Sequence, residues 1–145
     1  MSKKKGVDRM NKEQYLEYVD HFNNKRYDAV TSYFTPDVTV EYSSVWADRT
    51  LHGPQEFIDS YKNLHEYVRE VLELGDFMES RDLLFVELYT EFHCFKDAPE
   101  STGLDLKKGE VSIMTNWVLY NFEGDKMKRI RIAHFRMHDP KTAKF

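Results

Sequence analysis

Cysteine is nearly absent from this chain, with Cys94 as its single representative. One thiol excludes an internal disulfide and a zinc site built from cysteines. The sequence also lacks an apolar run of about 18 residues, and its N-terminus lacks the apolar core of a signal peptide. We therefore expect a cytoplasmic protein that neither spans nor binds a membrane.

Motifs for phosphate binding, for a nucleophilic serine and for metal ligation are missing as well. There is no glycine-rich phosphate loop and no Gly-x-Ser-x-Gly pattern, and the 6 histidines show no ligand spacing with carboxylates. The formal net charge of −4 gives no broad attraction to nucleic acid. We expect no metal, no cofactor and no nucleic-acid partner.

Aromatic residues, by contrast, are abundant, with 10 Phe, 9 Tyr and 2 Trp in 145 residues. The most informative stretch runs from Tyr15 to Tyr42, where apolar residues first recur at helical spacing and then alternate at Val38, Val40 and Tyr42 as in a half-buried strand. Two helices that lead into a curved sheet form a cup. A cup lined by aromatic side chains and a few hydroxyls predicts a small-molecule site.

The whole chain reads as one domain of residues 11–138, with a disordered tail at 1–10 and a C-terminal tail at 139–145. Asn11 and Gln14 predict a capping box at the start of the first helix. A Pro at position 54, directly after Gly53, marks the start of the third helix. The predicted helices cover about 11–24, 27–34 and 53–68, and the predicted strands about 38–42, 70–79, 83–95, 110–122 and 126–138.

A two-residue Gly124-Asp125 turn sets the predicted register of the last hairpin. It pairs Trp117 with Ile132 and Thr115 with His134, so these four side chains should face the helices. On the preceding strand, Leu88 and Thr90 belong to the inward side. The outward stripe holds Glu87, Tyr89, Glu91 and His93, with Tyr120, Phe135 and Met137 on the same side, and predicts a homodimer through the outer sheet face. The alternative is a register shifted by one residue, which would turn the stripe into the cavity with Glu91 and His93 as an acid–base pair.

The order of these elements from Lys12 to His138 resembles the SnoaL-like proteins of the nuclear-transport-factor-2-like superfamily. That resemblance implies an α+β fold, a conical barrel in which a strongly curved, mostly antiparallel sheet wraps around the N-terminal helices. By the same resemblance, Tyr18 falls on the oxyanion-hole tyrosine of ketosteroid isomerases. Tyr42 and Trp117 fall on or near their two aspartates, so that enzyme's carboxylate mechanism is not expected here.

The acid–base residues must therefore come from other positions. His134 is the first candidate, because a histidine titrates near neutrality and this one ends an inward apolar run; a core histidine is the alternative. The other predicted catalytic residues are Tyr18, Tyr42 and His52. The predicted substrate-binding residues are Trp46, Phe57, Tyr61, Leu88, Thr90, Thr115 and Trp117.

The resemblance and these residues together predict a cofactor-independent enzyme of secondary metabolism. It would act as an acid–base isomerase, cyclase or dehydratase on a polycyclic intermediate of polyketide or meroterpenoid type, a ring-containing hydrophobic substrate. The alternative is a non-catalytic module of the same fold that binds a ligand or a protein.

Overall fold

The first helix begins at the predicted capping box. The computed structural model describes residues 10–43 and 48–145. The Asn11 side chain accepts a hydrogen bond of 2.8 Å from the Gln14 backbone N–H, and the Gln14 side chain accepts one of 2.9 Å from the Asn11 backbone. Because both bonds satisfy N–H groups at the helix start, they fix the beginning of helix α1 at Lys12. The helix ends at Asn23. Its inward face buries Tyr15, Tyr18, Val19 and Phe22.

The other two helices are shorter than predicted. Helix α2 covers Tyr27–Thr31 and helix α3 covers Gly53–His65, with Pro54 in its first turn. Two 3-10 turns lie at Glu100–Thr102 and Pro140–Thr142. Within the described ranges, no helix is long and apolar enough to cross a membrane.

Six strands form one sheet. The strands are β1 Phe34–Ser43, β2 Arg49–His52, β3 Val68–Ser80, β4 Leu83–Cys94, β5 Val111–Glu123 and β6 Lys126–His138. Their order across the sheet is β2-β1-β6-β5-β4-β3. Strand β1 pairs parallel with β6, and every other neighbouring pair is antiparallel. This arrangement confirms the predicted α+β fold class. Two strands differ from the prediction. Strand β1 begins before the predicted proline turn, and β2 includes part of a segment that was predicted as a loop.

A β-bulge in β6 overturns the predicted register of the last hairpin. Phe122 pairs with Met127 as the turn requires, but Asn121 then pairs with Arg129, so Lys128 has no partner in β5. One extra residue on one strand exchanges the two faces of its partner strand beyond that point. The prediction that Thr115 and Trp117 face the helices is therefore wrong, and their neighbours Asn116, Val118 and Tyr120 lie on that inner side.

The hydrophobic core lies between the inner sheet face and helices α1 and α3. It includes the strand residues Val38, Val40 and Ile130, each at most 2% exposed. Met10 also belongs to this core at 4% exposure, although it lay in the predicted disordered tail. Its burial gives the start of α1 an apolar anchor beside the capping box.

Candidate active site

A cavity of about 390 Å³ opens inside the cup. Its walls come from the inner faces of β1, β3, β4, β5 and β6 and from α1 and α3, and most of its lining is aliphatic or aromatic. A pocket of this size holds a small ring compound. The polar residues of its lining are Tyr18, Tyr42, Ser43, Arg49, Ser60, Tyr61, Glu70, Thr90, Thr102, Asn116, Tyr120 and His134.

Glu70 of β3 is the one carboxylate among the described residues that line this mostly apolar cavity. It is 9% exposed, and its Oε1 lies 2.9 Å from Nε2 of His65, which is 6% exposed. The other ring nitrogen of His65 lies 2.6 Å from the Tyr27 hydroxyl. Both bonds are satisfied when Tyr27 donates to Nδ1 and the Nε2–H of His65 donates to Glu70. A Tyr27–His65–Glu70 chain, with His65 and Glu70 buried and Tyr27 half-buried, thus fixes the orientation of the carboxylate.

Glu70 retains capacity for a further hydrogen bond. Within residues 10–43 and 48–145, the contact with His65 is the one hydrogen bond that the Glu70 side chain receives, and its second oxygen has no partner. A carboxylate offers about four lone-pair sites. Because Glu70 lines the cavity, these sites are available to a bound molecule.

Paired phenols form a second polar feature of the site. The hydroxyls of Tyr42 and Tyr61 lie 2.5 Å apart, and those of Tyr15 and Tyr120 lie 2.7 Å apart. Burial raises the pKa of Tyr42 to about 12, and the charge of Glu70 adds to this. Burial also raises the pKa of Tyr18 well above its ordinary value. The phenols therefore stay protonated at neutral pH and act as hydrogen-bond donors.

The cavity opens where its lining becomes exposed. Ser43 at the end of β1, Arg49 at the start of β2 and Gly103 are the exposed lining residues. Arg49 is the cross-strand partner of Tyr42, so both lie on one face of the sheet. Its guanidinium carbon lies 4.9 Å from the centre of the Tyr42 ring, and its Nη2 donates to Ser60 Oγ at 3.0 Å. A positive charge therefore lies at the mouth.

Seven of the predicted site residues meet on the cavity wall. Those on strands face the cavity as the alternating pattern predicted. Those on helices lie on the inward faces of α1 and α3. These residues are Tyr18, Tyr42, Phe57, Tyr61, Leu88, Thr90 and His134.

Three predicted site residues lie elsewhere, and a fourth lies outside the described residues. His52 is exposed and immediately precedes α3, where its backbone N–H donates to the Glu56 side chain at 2.8 Å. Thr115 and Trp117 lie on the outer face because of the bulge: Thr115 bonds His138, and Trp117 donates to Glu87. Trp46, the fourth, belongs to residues 44–47.

Sequence reasoning missed Glu70, Arg49, Asn116 and Tyr120. A signal for Glu70 was present, because Val68, Glu70 and Leu72 alternate as one strand face and a carboxylate interrupts that apolar side. Asn116 and Tyr120 were missed because the bulge, which the sequence did not indicate, turns them to the inner face. Arg49 carried no signal, since it lay in a predicted loop.

The α+β fold, with a mostly apolar cavity between the curved sheet and the helices, is that of a nuclear-transport-factor-2-like protein. The family model of the SnoaL-like domain matches residues 15–130, and the chain belongs to that family. This confirms the resemblance seen in the sequence. The search of curated protein sequences found no match.

Solved structures of low sequence identity share the fold. A putative polyketide cyclase from Xanthomonas campestris pv. campestris has a TM-score of 0.68 at 14% identity, over 83% of this chain and 87% of that one. An NTF2-like protein of unknown function from Burkholderia pseudomallei reaches 0.67 at 15% identity, with 83% and 87% covered. TerC, co-crystallised with polyporic acid, reaches 0.67 at 13% identity, with 83% and 88% covered.

Proposed function

We propose that this protein is a cofactor-independent acid–base enzyme that isomerises, cyclises or dehydrates a ring-containing hydrophobic molecule. The observation that carries the proposal is Glu70, a buried carboxylate on an apolar cavity wall. One oxygen is held by His65, the other has no hydrogen-bond partner among the described residues, and the residue lines the cavity. A positioned carboxylate of this kind is suited to remove a proton from carbon.

In the proposed reaction, Glu70 takes a proton from a carbon next to a carbonyl group of the substrate. The C–H electron pair forms a C=C bond to the carbonyl carbon, and the π pair of the C=O bond moves onto its oxygen, so that the substrate becomes an enolate. Protonated phenols stabilise that charge by hydrogen bonds, and Tyr18 and Tyr42 line the cavity for this role. Return of the proton to another carbon completes an isomerisation, and loss of a neighbouring hydroxyl as water completes a dehydration.

His134 is proposed as a second acid–base group. It lies on the cavity lining, and its cross-strand partner Asn116 lines the cavity beside it. An imidazole both donates and accepts protons at its ring nitrogens, so His134 can give a proton to an oxygen or to carbon while Glu70 holds another. His134 and Glu70 would then divide the acid and base roles between two strands.

The family and its structural neighbours support the substrate class. Among the neighbours are a putative polyketide cyclase and a protein crystallised with polyporic acid. We therefore propose a polycyclic intermediate of secondary metabolism, of polyketide or meroterpenoid type, as the substrate. The predicted homodimer through the outer face remains a prediction, which sedimentation velocity would test.

Proton transfer can be measured before the substrate is known. Ring ketones and hydroxyquinones are incubated with the protein in D2O, and NMR follows deuterium entry next to the carbonyl. We expect catalysed exchange for at least one compound. Leu88→Trp, which fills the cavity, should abolish it, whereas Leu83→Trp, at an exposed position of the same strand, should not.

Circular dichroism shows whether both tryptophan variants are folded. Exchange that survives in a folded Leu88→Trp variant would contradict a reaction in the cavity. A folded wild type that binds these compounds and exchanges none of them would favour the binding module.

A further inference from the structure

We propose that the ligand of this cavity is a ring compound with an acidic group at one end and a second oxygen at the other. Arg49 at the mouth would hold the acidic group, a carboxylate or an ionised enol, and Thr90 on the inner wall would bond the second oxygen. The inference rests on the proposed function only in taking the cavity as the ligand site.

Arg49 is the one lysine or arginine among the described residues that line the cavity. Contact with the Tyr42 ring and the bond to Ser60 hold its side chain at the mouth. A guanidinium carries five N–H donors; among the described residues, Ser60 and the Tyr42 hydroxyl accept from it. The remaining donors match the two oxygens of a carboxylate, whose charge-assisted bonds are among the strongest that a side chain makes.

Glu70 sets the direction in which the ligand lies. A second negative charge beside its carboxylate would be repelled inside an apolar cavity. The acidic end of the ligand is therefore excluded from Glu70 and belongs at Arg49, and the neutral ring with its C–H bonds belongs at Glu70. This orientation places a carbon acid at the proposed base.

Thr90 provides an independent sign of a polar ligand atom. It is 1% exposed and lines the cavity, and its Oγ1 has no hydrogen-bond partner in the part of the chain that the structure describes. A buried hydroxyl without a partner destabilises a folded protein. The oxygen itself is covered, so a rotation of the Thr90 side chain towards the cavity would let a ligand oxygen satisfy it, either as donor or as acceptor.

Three related probes test the assignment by isothermal titration calorimetry: 6-hydroxy-2-naphthoic acid, its carboxamide, and 2-naphthoic acid. We expect the wild type to bind the hydroxy acid about ten- to a hundredfold more tightly than the carboxamide, as a charge-assisted bond predicts. Arg49→Gln should remove that preference. Arg69→Gln, at an exposed position outside the cavity, should keep it.

Thr90→Val tests the proposed contact between Thr90 and the second oxygen of the ligand. One measured quantity should rise and the other should be lost. The variant should raise the unfolding temperature of the free protein, because an unpartnered hydroxyl is removed. It should also erase the preference for the hydroxy acid over 2-naphthoic acid. A merely structural Thr90 would leave that preference unchanged.

Equal affinity for acid and carboxamide, a preference that survives Arg49→Gln, or no binding of any probe would overturn the inference. The deuterium-exchange experiment separates it from the proposed function. Acid-selective binding without exchange would contradict catalysis alone. Exchange on neutral ketones without acid selectivity would contradict the ligand class alone.

Discussion

Two buried glutamates, Glu70 and Glu91, lie on opposite faces of the same sheet, and each contacts a histidine. Glu91 on β4 is fully buried, and four groups donate hydrogen bonds to it: Tyr89 O–H, the His93 ring, and the backbone N–H groups of Lys144 and Phe145. Glu70 has one such bond, from His65, and faces the cavity.

The difference shows that bonding capacity separates a structural carboxylate from a candidate catalytic one. Burial would raise the pKa of Glu91, but its hydrogen bonds prevail and hold that pKa at about 2. Glu91 is thus a carboxylate whose oxygens are fully hydrogen-bonded, and it holds the C-terminal residues against the outer face of the sheet. In sequence, Glu91 and His93 look like an acid–base pair, whereas the signal of Glu70 is a single carboxylate on the apolar side of a strand.

Glu70→Gln should have the largest effect on function. The amide keeps the shape of the side chain but cannot accept a proton, so we expect deuterium exchange to fall by about 10²- to 10⁴-fold. The measurement is the NMR exchange rate on the best compound of the panel. An unchanged rate in the folded variant would remove Glu70 from the mechanism.

Glu91→Gln is the matched variant on the other face, and its effect should be on stability. Loss of the charge weakens four hydrogen bonds, so we expect the free energy of unfolding to fall by about 1.5–3 kcal/mol. Urea denaturation measures this change. The exchange rate should stay within about twofold of the wild type at a temperature where both proteins are folded.

Tyr27→Phe should have a smaller effect on stability and on exchange, and it should act only through the His65–Glu70 pair at the cavity. It removes the hydrogen bond that fixes the His65 ring, which we expect to cost about 1 kcal/mol of stability. The exchange rate should fall less than in Glu70→Gln, because the carboxylate remains. Loss of exchange as complete as in Glu70→Gln would mean that Tyr27 does more than orient His65.

Acid pH should reduce the difference in stability between the wild type and Glu91→Gln. Because the folded pKa of Glu91 is depressed to about 2, its stabilisation is present above the ordinary glutamate range and is lost as pH falls through about 2. Urea midpoints of the two proteins should therefore converge from pH 5 towards pH 2. A constant difference over that range would contradict the depressed pKa.

Much of the fold could be predicted, because alternation and capping are local signals. Strand β6 was predicted with its observed ends, and Ile130, Ile132 and His134 line the cavity as expected. The unpaired Lys128 has no such signal, since a bulge depends on how two strands twist together. That single residue moved Trp117 out of the site and Tyr120 into it.

The site itself was predictable where it depends on strand alternation and not where it depends on tertiary contacts. Tyr42 and Leu88 follow directly from alternating patterns. The Tyr27–His65–Glu70 chain joins α2, the end of α3 and β3, and the contacts among these elements are set by helix packing. Spacing along the sequence carries no information about that junction.

One NMR titration tests most directly whether the two glutamates differ as proposed. The protein is labelled with ¹³C at the glutamate side-chain carboxyl, and the two glutamine variants assign the resonances of Glu70 and Glu91. When 6-hydroxy-2-naphthoic acid is added, we expect the Glu70 signal to shift and the Glu91 signal to stay fixed. A ligand that saturates the protein yet leaves Glu70 unmoved, or that moves Glu91 instead, would contradict the placement of the site at Glu70.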